Sequence, residues 1–136
     1  MFNYKASFLR YLDHHGINYN DRDEHTVIVP YSGDNIKNMN IHVSFDEDGE
    51  GMVQLFAWDI GSFSGDNYAK GLIVCNELNT KYRWVKFYID SDKDVCVSTD
   101  AYIDPETVGE ECLNLIRRMI NITDKAYPIF MKALWS

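Results

Sequence analysis

The chain lacks most of the devices by which a short sequence announces its chemistry. No apolar run approaches the roughly 20 residues that a bilayer-spanning helix needs. The start, Met1-Phe-Asn-Tyr-Lys5, has no charged region leading into an apolar core. No secretory leader is read there, and a cytoplasmic location is expected. Lys and Arg number 13 against 21 Asp and Glu, a net charge of −8. Such a chain repels phosphate backbones, so neither nucleic acid nor a membrane is an expected partner. Arg117-Arg118 is the one adjacent basic pair, and on a helix it reads as a solvated face.

Metal and redox signals are equally thin. The three cysteines, Cys75, Cys96 and Cys112, are widely spaced, with no Cys-x-x-Cys. They read as reduced, buried thiols acting as small hydrophobes. The four histidines form no His-x-x-x-His or His-Glu-x-x-His, which argues against zinc. Asp46-x-Asp48-Gly49-Glu50 resembles the start of a calcium loop, but the position six past Gly49 is Leu55, not the required Glu. Gly61-Ser-Phe-Ser-Gly65 is no nucleophile elbow, because Phe63 occupies the nucleophile's place. Phosphate-loop and dinucleotide-binding glycine patterns are missing. No cofactor and no catalytic activity are expected. Residues distant in sequence could still converge, for instance His42 with acidic neighbours.

What is present is a folding pattern. The 136 residues fit one domain, residues 1–136, and 46% of them are apolar, enough for a real core. The central stretch is Asp66 to Asp90. Tyr68, Leu72, Cys75, Leu78 (with Asn79) and Tyr82 recur at helical spacing. After Arg83 the period becomes two, with Val85, Phe87 and Ile89 on one side and Trp84, Lys86 and Tyr88 on the other.

Around that stretch the remaining elements fall into order. Residues 2–15 read as a helix closed by Gly16 at C′. Strands are predicted over 25–31, 38–45 and 52–58, with the polar segment 18–24 a turn. Pro30 belongs at an edge or a strand end. Gly61–Gly65 is a flexible link, with Asp66 the expected N-cap. Ser91–Asp94 turns the chain into a strand over 95–103. Asp104-Pro105-Glu106 starts a last helix that Pro128 should end or kink. The order α-β-β-β-α-β-β-α implies the α+β class, a five-stranded antiparallel sheet with helices mainly on one face.

Two groups of residues are candidates for binding. If Val53, Leu55, Val85, Phe87 and Ile89 face the helices, then Phe56, Trp58, Trp84 and Tyr88 face away. Large aromatics gathered on an open face commonly anchor a partner, although a covering loop would also explain them. Asn76 and Asn79, three apart on the central helix, either lock the helix end to nearby backbone or contact a ligand in a pocket beside the sheet.

The stretches Ala69-Lys-Gly-Leu-Ile-Val-Cys-Asn-Glu-Leu-Asn79, Arg83-Trp-Val-Lys-Phe-Tyr-Ile-Asp90 and Asp104-Pro-Glu-Thr-Val-Gly-Glu-Glu-Cys112 resemble the YbjN-type domain, a family associated with bacterial sensory transduction regulation. That family's fold is similar to the type III secretion chaperones. The resemblance implies a non-catalytic, chaperone-like module, cytoplasmic and homodimeric, that binds a protein or peptide partner, with the central helix at the dimer contact. The alternatives from the residues are a small-molecule sensor at Asn76 and Asn79, or an enzyme with dispersed residues.

Overall fold

The computed structural model describes residues 1–136. Helix α1 (Tyr4–His14) leads into strands β1 (Asn20–Asp21), β2 (Thr26–Tyr31), β3 (Met39–Phe45) and β4 (Met52–Ala57). Helix α2 (Tyr68–Lys81) crosses to β5 (Lys86–Ile89) and β6 (Val95–Tyr102), and α3 (Val108–Leu134) closes the chain. The strands form one antiparallel sheet in the order β1-β2-β3-β4-β6-β5.

This is the expected α+β arrangement with one strand more. Sequence reading gave five strands and a turn over 18–24, where β1 pairs Asn20 with Ile28 and Asp21 with Val27. Two polar residues carry no period. Only the neighbouring strand makes them β structure.

Residues opposite one another in an antiparallel sheet share a face. One set of rows carries Val27–Val43–Leu55 and Ala57–Val97–Phe87. All six are buried in a single core. The helices pack on this side: Phe8 of α1 lies 6.0 Å from Phe45, and Phe130 of α3 lies 5.5 Å from Phe87 and 6.0 Å from Phe63.

Helix α1 begins where Asn3 Oδ1 accepts from Ala6 N–H at 2.9 Å and ends before Gly16, at φ 64°. Helix α2 buries Gly71, Val74, Cys75 and Leu78, while the expected core residue Leu72 is 43% exposed. The buried face is rotated because Gly71 lets the helix come close. A Cβ there would lie 2.6 Å from Ile89 Cδ1 and 2.7 Å from Phe63 Cγ. The link before α2 is not flexible. Phe63 is fully buried, its N–H donates to Lys93 O, and Val95 N–H donates to Gly61 O, both at 2.8 Å. Asp66 sits inside a 3-10 turn, Gly65–Asn67, and does not cap α2.

Both ends of α3 differ from expectation. Asp104-Pro105-Glu106 forms a turn, with Asp104 Oδ1 accepting from Glu106 N–H, and the helix begins at Val108. Glu111 reaches back, accepting from Thr107 Oγ1 and from Asp104 N–H. At the other end, Pro128 does not stop the helix, which runs on to Leu134. A proline at 128 leaves the carbonyl of residue 124 without its helical N–H. Asn35 Nδ2 donates to that Asp124 carbonyl at 3.2 Å. The following turn is held by Phe130, which is fully buried.

Candidate functional site

The face of the sheet away from the helices carries the row Ile28, His42, Phe56, Ser98, Lys86. His42 is the centre of an aromatic stack. Its ring lies 5.0 Å from Phe56 at 19° and 4.5 Å from Trp58 at 25°, and Phe56 lies 5.9 Å from Trp58. Phe56 and Trp58 remain half-exposed, while His42 is buried beneath them. Burial holds the His42 imidazole below its ordinary pKa, helped by Arg22, so the ring is neutral near pH 7. Its Nδ1 is buried with no hydrogen-bond partner.

A second polar atom on the same face is in a similar position. Ser98 is fully buried, and its Oγ has no partner at bonding geometry, although the Tyr88 phenol stands near enough to feel it. Tyr88 is 40% exposed and pairs across to Cys96. Cys96 Sγ donates to Asp90 Oδ2 at 3.4 Å, and burial pushes that thiol up to about 12. The same cause raises Cys75 to about 11 and Cys112 to about 12. All three cysteines are free and buried.

Trp84 does not join Phe56 and Trp58. It precedes β5, and its φ is 79°. The alternation used to orient it holds only for extended backbone. At positive φ the side chain leaves the row, and its ring sits under the Arg118 guanidinium of α3, 4.3 Å from the ring centre.

Asn76 and Asn79 also separate. Asn79 sits against β5, the last strand of the sheet, and bonds Phe87 twice. Phe87 N–H donates to Asn79 Oδ1 at 2.8 Å, and Asn79 Nδ2 donates to Phe87 O at 3.0 Å. The side-chain amide thus imitates a neighbouring strand and locks the helix end to the backbone. Asn76 is exposed on the same helix.

The other sheet edge is short. Its last strand, β1, has two residues and covers β2 at Val27 and Ile28, and beyond it Pro30 has no N–H to offer a further strand. From the sequence, His42 is a candidate only beside acidic neighbours, not beside the aromatics, and Ser98 is not a candidate. Both lie at the alternate positions of their strands, but only the register brings them beside Phe56.

This architecture has known counterparts. A family model described as "Putative bacterial sensory transduction regulator", YbjN, matches residues 6–131. The chain belongs to the YbjN family. Among solved structures, the YbjN-family chain is similar to Escherichia coli YbjN, called a putative transcription regulator, at 10% identity over 90% of each chain with a TM-score of 0.65. It is similar to a chain of the Pseudomonas aeruginosa ExoU–SpcU type III secretion complex at 12% identity, covering 88% of this chain and 93% of that one, TM-score 0.59. The Yersinia pestis secretion chaperone SycH, solved with a fragment of YscM2, gives 15% identity, 90% and 96% coverage and a TM-score of 0.54. At these identities the likeness establishes the fold, which YbjN proteins share with the type III secretion chaperones. No curated protein matches the sequence significantly. No helix of the chain is long and apolar enough to cross a membrane.

Proposed function

We propose that this protein is a non-catalytic binding module of regulatory, chaperone-like kind, which holds an extended segment of another polypeptide on the helix-free face of its sheet. The observation that carries this reading is the His42–Phe56–Trp58 stack, with Tyr88 on the same face of the sheet. Large aromatics are half-exposed there, stacked over the buried His42 ring. Large aromatics gathered on an open face commonly anchor a partner, so an occupant offering apolar contact would complete this surface. The face is favoured over strand addition because Asn79 occupies the Phe87 backbone groups at one sheet edge, and the other edge is a two-residue strand followed by Pro30. Similarity to chaperones solved in complex with protein partners supports the same reading.

We further propose that a second copy docks on the outward face of α2, where Leu72 and Ile73 are 43% and 59% exposed. Three free, buried cysteines fit a reducing cytoplasm.

The test is a binding measurement on Phe56→Ser, Trp58→Ser and Tyr88→Ser, each checked by circular dichroism. Folded variants that lose partner capture support the sheet face. Folded variants with unchanged capture refute it. Light scattering on Ile73→Asp reads the dimer: a monomer supports the α2 contact, and an unchanged dimer rejects it.

A further inference from the structure

On this acidic chain five basic residues lie near one corner. Lys81 ends α2, Arg83 and Lys86 flank the entry to β5, and Arg118 of α3 lies over Trp84, with Arg117 next to it on the helix. These are five of the 13 basic residues. Acids outnumber bases, yet none of the five makes an ion pair or a side-chain hydrogen bond. The chain's ion pairs are Lys5–Asp21 and those of His25 with Glu24 and Glu47. Lys81 and Lys86 instead lie over the Tyr82 and Tyr88 rings, at 5.2 and 5.8 Å.

Two features distinguish the same corner. Trp84 is 60% exposed, at a positive φ that a large side chain seldom adopts. Beside it lies a hollow of about 390 Å³ lined by Trp84, Val85, Lys86, Ser98, Thr99 and Asp100.

We propose that this corner docks an acidic stretch of the partner polypeptide, with carboxylates on Arg83, Lys86 and Arg118 and an apolar side chain against Trp84. The inference rests on the protein-binding reading above and adds the chemistry of the partner. A peptide fits better than a nucleic acid. Asp100 stands in the hollow and the whole chain carries −8, so a uniform polyanion meets repulsion. A peptide can place its carboxylates on the cations and a neutral N–H or hydroxyl against Asp100. Arg and Trp are also the side chains that most often dominate protein interfaces.

The test uses the full chain and three fluorescent probes at low salt: an alternating Glu/Leu peptide, its Lys/Leu counterpart and single-stranded DNA of matched length. The Glu/Leu peptide should bind best and weaken as salt rises. Reversing charge with Arg83→Glu and Arg118→Glu should weaken it by roughly tenfold or more. Trp84→Ala should also weaken it, and lysine substitutions at 83 and 118 should largely preserve it. No binding of the acidic peptide, equal binding of the Lys/Leu peptide, or tighter binding of DNA overturns the proposal. So does a charge-reversed variant that binds normally. If that variant binds normally while folded Trp58→Ser does not, the acidic corner fails but the sheet face stands. If no probe binds and neither surface's variants alter partner capture, both readings fall.

Discussion

Asn35 and Pro128 should be energetically coupled, although they lie on separate elements. Pro128 removes the N–H that would bond the Asp124 carbonyl, and the Asn35 amide supplies the substitute at 3.2 Å. A net hydrogen bond of this kind contributes about 0.5–1.5 kcal/mol. Asn35→Ala should therefore cost about 1 kcal/mol in the natural chain. Pro128→Ala returns the helical N–H and removes the ring clash. Proline in a helix interior costs about 3 kcal/mol relative to alanine. The gain here should be smaller, about 1–2 kcal/mol, because the carbonyl is already satisfied. In the Pro128→Ala background the Asp124 carbonyl no longer needs Asn35, so Asn35→Ala should cost only about 0.3 kcal/mol. Urea unfolding of the four proteins, read by circular dichroism, gives the cycle directly. Equal cost of Asn35→Ala in both backgrounds, within about 0.3 kcal/mol, would refute the account of why the helix survives its proline.

Other perturbations test the rest of the architecture. Asn79→Ala should cost about 1–2 kcal/mol and speed hydrogen exchange at the Phe87 amide, and Asn79→Asp should be worse because its carboxylate would face the Phe87 carbonyl. A Cβ on Gly109 would overlap the Tyr11 ring. Gly109→Ala should therefore destabilise by about 1–2 kcal/mol in thermal unfolding, and become neutral or stabilising once Tyr11 is alanine. The backbone N–H groups of Ile36 and Asn35 hold the Asp124 carboxyl below its usual range. Its contribution is thus present above the unfolded pKa of about 3.9 and is lost as pH falls through the folded value. The stability gap between the natural chain and Asp124→Asn should narrow between pH 6 and pH 3. A gap that widens on acidification contradicts the assignment.

The sequence by itself determined the class of fold. Apolar periods of 3.6 and 2 are local properties, and they located three helices and five of six strands because each element buries one face. They also put Phe56 and Trp58 on the face away from the core. Tertiary structure decided whatever depended on a distant neighbour. β1 exists because β2 pairs with it, and α2 turned its buried face because Gly71 admits Ile89 and Phe63. Helix α3 passes Pro128 because an amide 89 residues away meets its orphaned carbonyl. The candidate site followed the same division. Register carried His42 and Ser98 to the aromatics, and one positive φ moved Trp84 to a different corner. Periodicity reports which face a residue prefers. Only the packed chain fixes backbone angles and partners, and these set where each side chain ends.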